Sequence, residues 1–297
     1  MADSDSSASA DLDRAAAVFE AVRPRLFGIA YRMLGSVSEA QDVVQDAWIR
    51  WQSTDRHGIR NPTAFLSTVT TRLAINVATS ARARREVYVG PWLPEPVRTD
   101  DDPALGAERS EALELGLLKL MERLSPRERA VYLLREAFDY SFSDIAEVLE
   151  TTESNVRQLA SRARLHLQEA RPTTVAKEER NRLLRAFVSA AQTGDLKQLE
   201  TMLAEDVVFY ADGGGIVSAA RRPVVGRDNV ARFLAGVRER FVFDAGFSVV
   251  TVNGGDAMLV TRDGAPYIVG SVSVGERGID GVYFVLNPEK LGAILPV

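Results

Sequence analysis

Arginine, carboxamide and hydroxyl side chains recur at helical spacing on one face of residues 153–164 in this 297-residue chain. Guanidinium groups bind phosphates and guanine edges, and carboxamides bind adenine edges, so this face suits contact with a DNA duplex. No acidic residue follows Glu153 before Glu169. The predicted readers and phosphate binders are Asn155, Arg157, Gln158, Ser161, Arg162 and Arg164.

A second polar face belongs to a helix that is predicted to start at Asn61-Pro62, an N-cap followed by a first-turn proline. Its buried stripe is predicted to be Phe65, Leu66, Val69, Leu73 and Val77, with Thr68 and Thr71 on the other side. That other side also carries the predicted DNA contacts Arg72, Asn76, Thr79, Arg82, Arg84 and Arg85. A solvated helix end stabilised by its dipole is the alternative interpretation of the arginines.

A third face lies on the helix that follows the capping box Ser36-Val37-Ser38-Glu39. One stripe, predicted to pack inward, is Ala40, Val43, Val44, Ala47, Trp48 and Trp51. The opposite face carries Asp42, Gln45, Asp46 and Ile49, an acidic strip that ends in an apolar residue. This combination indicates a docking surface, although single exposed apolar residues also occur on ordinary surface helices.

Bond-making chemistry has little support in this sequence. The chain has no cysteine and two histidines, which leaves no thiol nucleophile and no histidine cluster for a metal. We therefore predict no catalytic residue, no metal site and no cofactor. Asp212, Asp256 and Asp263 adjoin glycines and are predicted to be turn formers.

The elements that position these faces divide the chain into three predicted domains. Residues 1–11 are predicted to be a disordered acidic N-terminus, and 12–90 and 110–172 are two all-α domains. A proline-rich acidic linker, 91–109, separates them. Fifteen of the 21 glycines lie after residue 175, where short apolar runs alternate with turns such as NGG and RDGAP, so 177–297 is predicted to be an α+β domain.

A helix-turn-helix is predicted within the second helical domain. Ser125-Pro126-Arg127-Glu128 starts a helix, 141–150 forms the next, and Thr151-Thr152 turns into the helix 153–164. The small Ala146 permits the two helices to cross closely. A helical hairpin that binds no DNA is the alternative.

Together these segments resemble sigma factors of the bacterial sigma-70 superfamily, in the extracytoplasmic-function group that keeps only regions 2 and 4. The segment 36–51, SVSEAQDVVQDAWIRW, resembles region 2.2, which implies that its acidic face docks on the clamp helices of the largest RNA polymerase subunit. The segment 61–86 resembles the part of region 2 that melts and reads the minus-10 element. The segment 124–167 resembles region 4, whose recognition helix enters the major groove of the minus-35 element.

The C-terminal part resembles a subgroup in which a SnoaL-like domain, with the cone-shaped nuclear-transport-factor-2-like fold, follows region 4. WLPEP (92–96) and NPEKL (287–291) carry this resemblance, with Glu289 where members usually have aspartate. In the subgroup this domain is thought to regulate the sigma regions in cis, which implies an interdomain role for Trp92, Leu93, Pro94, Glu95, Asn287, Pro288, Glu289, Lys290 and Leu291. Glu95 and Lys290 are the expected contact points.

The resemblance implies two partners, core RNA polymerase (its clamp helices and its flap) and promoter DNA. It implies no separate anti-sigma factor, and a small apolar ligand could occupy the C-terminal domain through Phe209, Phe233, Phe241 or Phe247. The N-terminus lacks a leader pattern and no run is long enough to span a membrane, so we expect a cytoplasmic protein without a membrane partner. A helix-turn-helix regulator with a ligand-binding or enzymatic SnoaL-like domain is the alternative.

Overall fold

A computed structural model describes residues 2–99, 114–168, 175–241 and 245–294. The chain forms two compact units, one of residues 1–83 with 124–164 and one of residues 84–123 with 165–297. The two helical domains predicted separately therefore share one unit. The described part of the predicted linker, 91–99, belongs to the unit that contains the C-terminal domain.

Six helices supply the first unit, and their ends follow the predicted caps. They are α1 (Ala2–Leu34), α2 (Val37–Ser53), α3 (Pro62–Glu86), α5 (Pro126–Glu136), α6 (Phe142–Val148) and α7 (Glu153–Gln168), with α4 (Leu115–Met121) belonging to the second unit. Ser36 accepts a hydrogen bond from Glu39 N, and Asn61 accepts one from Ala64 N. Ser125 and Ser141 both head full capping boxes.

Two details of this unit differ from the sequence predictions. Residues 1–11 are predicted to be disordered, whereas α1 begins at Ala2, because alanine favours a helix and early aspartates favour its N-terminal end. In α3 the buried stripe is rotated, so Thr71 is buried and donates to Ser67 O at 2.8 Å, while Phe65, Val69 and Val77 are half-buried. Small and hydroxyl-bearing residues fit this close-packed face better than the larger apolar ones.

The second unit is built on a six-stranded mixed sheet in the order β2-β1-β6-β5-β4-β3, in which only β1 and β6 are parallel. Its helices in this domain are α8 (Lys177–Thr193), α9 (Leu196–Met202) and α10 (Arg227–Phe241). The strands are β1 (Leu203–Asp212), β2 (Val224–Val225), β3 (Gly246–Val252), β4 (Gly255–Arg262), β5 (Ala265–Gly275) and β6 (Gly278–Val285). The α+β prediction is confirmed.

Tight turns join the last strands as the glycine-containing motifs predict. Asn253-Gly254 links β3 to β4 and Asp263-Gly264 links β4 to β5, and all four residues have positive φ. Two consecutive positive φ values are the requirement of the hairpin turn that matches strand twist, which explains the Asn-Gly and Asp-Gly pairs.

The sheet buries both faces. One face packs under α8, α9 and α10 around Phe187, Phe209, Leu234 and Phe284. The other face, which includes Tyr283 and Val285, is covered by Leu93 of the linker and by Leu291 and Ile294 of the C-terminal segment. Linker and C-terminal segment are therefore parts of the same hydrophobic core.

Candidate functional sites

The helix-turn-helix presents the predicted recognition face to solvent. Ile145, Ala146 and Val148 of α6 are buried, as are Val156 and Leu159 of α7. Among the predicted DNA contacts, five side chains are exposed: Arg157, Gln158, Ser161, Arg162 and Arg164. Asn155 is half-buried instead, because its amide donates to Thr151 Oγ1 at 2.9 Å and closes the turn.

Each arginine of this face has a weak acidic partner. Arg157 pairs with Glu153, Arg162 with Glu128 at 3.4 Å, and Arg164 with Glu136 at 2.7 Å. The three arginine side chains remain 49–61% exposed. Exposed pairs contribute only about 0–1 kcal/mol, so phosphates of a bound duplex can displace the carboxylates.

On α3, Asn76, Thr79, Arg82 and Arg84 are exposed, as a nucleic-acid contact requires. Arg72 is half-buried and is bound to the C-terminal end of α6. Its Nε donates to Val148 O at 2.8 Å, its Nη2 to Glu147 O at 3.1 Å, and its Nη1 lies 2.7 Å from Glu150 Oε1. This guanidinium therefore satisfies carbonyls that a helix end leaves open.

Arg85 contacts the linker and the residue that follows α4. It belongs to the second unit, pairs with Glu122 and stacks over the Trp92 ring with its guanidinium carbon 3.6 Å from the ring centroid. Its side chain is only 15% exposed. Its position thus favours a role in holding the linker rather than the predicted contact with the minus-10 element.

The acidic strip of α2 is a solvent-facing surface. Asp42, Gln45 and Asp46 are exposed, and Ile49 is 54% exposed although the stripe behind it, including Val43 and Trp51, is buried. The two faces predicted for this helix are therefore confirmed as geometry.

A buried carboxylate holds the linker to the C-terminal domain. Asp212, at the end of β1, is fully buried and accepts hydrogen bonds from Tyr88 Oη at 2.7 Å and from Leu93 N at 2.8 Å. It also accepts from Gly214 N at 3.1 Å, which is the turn-forming bond expected from the sequence. The turn-former prediction was thus right but incomplete, because the same side chain is also the anchor of the linker.

Lys290 completes this anchor. Its ammonium lies 2.8 Å from Asp212 Oδ2 and donates to Leu93 O at 2.6 Å. It also lies over the rings of Tyr88 and Trp92, at 5.1 and 4.3 Å from their centroids. Burial lowers the pKa of Lys290, while the charge of Asp212 opposes that shift. Burial and the bond to Asp212 raise the pKa of Tyr88, so its hydroxyl stays protonated and donates.

The two predicted interdomain motifs do meet. Leu93, Pro94, Asn287, Lys290 and Leu291 are all buried, Trp92 and Glu95 are half-buried, and Pro288 and Glu289 are exposed. Lys290 forms its close ion pair with Asp212, where the sequence analysis expected Glu95. The charge of Glu95 also acts on Lys290 and raises its pKa, but less than that of Asp212. Tyr88 and Asp212 were missed, since a buried pair 124 residues apart leaves no local pattern.

The segment that contains the linker runs from the end of α3 to the end of α4, and its two ends are also bonded to each other. Arg85, at the end of α3, pairs with Glu122, just after α4. Lys119 of α4 donates to Trp92 O at 2.8 Å. Farther along, Val97 N donates to Asn253 Oδ1 and Thr99 N to Thr251 O, which adds the linker to the edge of β3. The segment that joins the two sigma-like regions is closed into a loop.

An apolar cavity of about 370 Å³ lies on the helix-covered face of the sheet. It is lined by Phe209, Ala211, Ser218, Ala219, Ala220, Arg232, Phe233, Gly236, Val237, Tyr267, Ile268, Phe284 and Leu286. Of the aromatic residues predicted to line a pocket, Phe209 and Phe233 do so, Phe247 lines a smaller neighbouring cavity, and the side chain of Phe241 lies outside the described residues.

Within the described ranges, no three histidine, aspartate or glutamate side chains are grouped to hold a metal ion. None of the helices in these ranges is long and apolar enough to cross a bilayer.

Family models match three parts of the chain: sigma-70 region 2 at residues 18–85, sigma-70 region 4 at 114–167, and a SnoaL-like domain at 184–269. Among curated proteins, the chain is 37% identical over 289 residues to the ECF RNA polymerase sigma factor SigJ of Mycobacterium tuberculosis, covering 92% of this chain and 91% of that protein. It is 33% identical over 223 residues to the probable ECF sigma factor SigI of the same species, covering 73% and 75% of the two chains.

The crystal structure of Mycobacterium tuberculosis extracytoplasmic function sigma factor SigJ is similar along almost its whole length. The TM-score is 0.76 at 33% identity, over 93% of this chain and 97% of that one. The similarity thus includes both sigma-like regions and the C-terminal domain.

Proposed function

Because this chain belongs to the extracytoplasmic-function RNA polymerase sigma factors, we propose that it brings core polymerase to specific promoters under the control of its own C-terminal domain. Sigma factors bind core RNA polymerase and promoter DNA, and they are initiation factors rather than enzymes. A free-standing helix-turn-helix regulator would leave the region 2 match at 18–85 without a use.

We assign the exposed face of α2 to the clamp helices of the largest subunit, and region 4 to the flap and the minus-35 element. Asn76, Thr79, Arg82 and Arg84 are assigned to the minus-10 element, with Arg72 joining them once its bonds to α6 are released. The observation that carries this assignment is the exposed acidic strip ending in Ile49. Run-off transcription with purified core polymerase, with and without the protein, tests it: promoter-specific transcripts should require the protein.

Replacing Arg157 or Arg162 by alanine is expected to weaken initiation that depends on the minus-35 element. Each substitution should cost about 1–3 kcal/mol of promoter-binding free energy if the arginine binds a guanine edge. If the arginine binds a phosphate, the substitution should instead reduce the salt dependence of binding. Footprints of open complexes on promoters changed in one element at a time measure this. Arg277→Ala, another exposed and ion-paired arginine, is the matched control. A wild-type response of the Arg157 and Arg162 variants to minus-35 changes contradicts the recognition-helix assignment.

The closed linker supports regulation in cis. The minus-10 and minus-35 elements lie about 25 base pairs apart, which is roughly 85 Å at about 3.4 Å per base pair. A linker whose ends are joined by Arg85–Glu122, and whose middle is bound through Leu93, holds regions 2 and 4 close together. We infer that the docked linker inhibits promoter binding, and that its release from Asp212 and Lys290 activates the protein.

Removing one hydroxyl should therefore raise transcription. Tyr88→Phe loses the bonds to Asp212 and Asn287 but keeps the ring beneath Lys290. Loss of a buried hydrogen bond of about 1–2 kcal/mol shifts the docked linker toward release and should increase run-off transcripts several-fold. Tyr210→Phe, whose ring stays stacked on Tyr283, is the control. Unchanged or lower yield from a folded Tyr88→Phe protein contradicts inhibition by the docked linker.

Inhibition by the protein's own linker supports the proposal that the protein works in the cytoplasm without a separate anti-sigma factor. The apolar cavity supports a small apolar ligand of the C-terminal domain. A pull-down from the producing cells, with Tyr88→Phe as a comparison, tests the first point: an inhibitor protein that copurifies would contradict it.

A further inference from the structure

Gly236 is unusual among the helical glycines. It lies inside α10 and lines the apolar cavity, and a Cβ at this position meets no atom within 4 Å. The other described helical glycines, Gly28 and Gly116, face Arg32 and Tyr283. Glycine is the poorest helix former after proline, so this position gives up helix stability while the cavity stays open.

The cavity also has a defined chemistry. Its lining combines three phenylalanine rings in contact, Phe209 with Phe233 and Phe284, with small side chains such as Ala219 and Ala220. Among the described residues that line it there is no carboxylate, and the exposed Arg232 is positioned by bonds to Asp228 O and Asn229 Oδ1. A volume of about 370 Å³ lies within the usual range for small-molecule sites. These properties select a flat apolar molecule with at most one negative charge.

The small-residue wall touches the linker on its other side. Ala219 and Ala220 line the cavity and also line a second pocket of about 270 Å³, whose lining includes Val89 and Gly90. In the same loop, a Cβ on Gly215 would lie 3.1 Å from Val89 Cβ, and one on Gly214 would clash with the Asn287 amide. The loop 213–221 therefore lines the cavity and also borders Val89 and Asn287, which lie next to the linker anchor.

A second connection between the cavity and the linker anchor lies just after β6. Leu286 lines the cavity, and the backbone N–H groups of Leu286 and Asn287 both donate to Asp212 O at 2.8 Å. The residue that anchors the linker is thus bonded directly to a cavity wall. The affinity of a ligand that contacts these residues therefore depends on whether the linker is docked.

We propose that the cavity binds a flat aromatic molecule, neutral or singly anionic, and that this ligand binds more tightly when the linker is docked. The ligand then acts as a corepressor: it strengthens the hold of the C-terminal domain on the linker. This proposal rests on the inhibitory role of the docked linker proposed above. Linkage makes the effect reciprocal, since the docked linker must raise the affinity for the ligand by the same factor by which the bound ligand favours docking.

The test uses the full-length protein with 2-naphthoate as the probe and needs no transcription. Calorimetry should show one site in the wild type, and hydrogen exchange of residues 88–99 should slow by about fivefold or more when the site is saturated. Gly236→Leu fills the cavity and should weaken binding at least about tenfold, while Gly58→Leu, at an open position outside it, should bind like the wild type. Arg232→Gln should weaken 2-naphthoate but leave 2-naphthalenemethanol unchanged.

Tyr88→Phe supplies the reciprocal arm and should weaken 2-naphthoate binding, by at most the factor by which the saturated site slows linker exchange. Thermal melting confirms that each variant is folded, and Gly236→Ala, which should melt higher than the wild type, checks that the helix accepts a side chain. No binding at millimolar probe, or undiminished binding to folded Gly236→Leu, overturns the site. Binding without any change in linker exchange or in the Tyr88→Phe affinity overturns the coupling. Both readouts stand even if Tyr88→Phe leaves transcription unchanged, which would reject the inhibitory role alone.

Discussion

Core RNA polymerase is expected to lose at least about a hundredfold in affinity for the variant Asp42→Arg/Asp46→Arg. Both carboxylates are exposed beside Ile49, so the substitutions leave the core of α2 intact and place like charges where a basic partner surface would dock. Like-charge contact across an interface costs several kcal/mol, which exceeds the effect of losing one ordinary surface pair.

Binding of fluorescently labelled protein to core polymerase measures this loss, with circular dichroism to verify helix content. The matched control is Glu205→Arg/Glu276→Arg, two exposed acids of the C-terminal domain with the same change in net charge. Equal affinity of both double variants would falsify the docking surface, because a nonspecific charge effect does not depend on position.

Asp212→Ala is expected to cause the largest loss of stability, about 3–5 kcal/mol, because it leaves the Lys290 ammonium buried without its counter-charge. It also removes the acceptor for Tyr88 Oη and Leu93 N. The double variant Asp212→Ala/Lys290→Met should recover much of this loss, since replacing a whole buried pair by apolar groups is far milder than breaking it.

Urea denaturation of the full chain, followed by circular dichroism at several wavelengths, measures these free energies of unfolding. Asp206→Ala breaks the exposed pair with Arg277 and should cost no more than about 1 kcal/mol. If Asp212→Ala resembles Asp206→Ala, the buried pair does not hold the linker. If the double variant is as unstable as the single one, the unpaired lysine is not the cause.

Local signals account for the parts of the fold that could be predicted. The capping boxes at Ser125 and Ser141, and the Asn-Gly and Asp-Gly turns, act within four residues, so the sequence displays them directly. Helix α10 was missed although Val230, Phe233, Leu234 and Val237 recur at helical spacing. The two-residue strand β2 has too few residues for any periodic signal.

The linker anchor could be predicted only in outline. WLPEP and NPEKL identified the segments that meet, but the pairing of Lys290 with Asp212 is set by strand order, because β1 lies beside β6 in the sheet. The same holds for Arg85: its sequence position among arginines favours a phosphate contact, while its ring partner Trp92 lies beyond the end of the helix. Long-range pairs of this kind have no sequence period.

If Arg72 contacts the minus-10 element as proposed, its bonds to the end of α6 make the binding of the two DNA elements thermodynamically dependent on each other. A promoter complex that uses Arg72 must first give up the carbonyls of Glu147 and Val148, and this separation is needed only once, whichever element binds first. The second element then meets a protein that is already open, which is positive cooperativity between the minus-10 and minus-35 sequences. A promoter that lacks one element therefore loses more binding free energy than the contacts of that element alone supply. The contributions of the two elements are not additive, and promoters that carry both are favoured more strongly than a sum of the two would give.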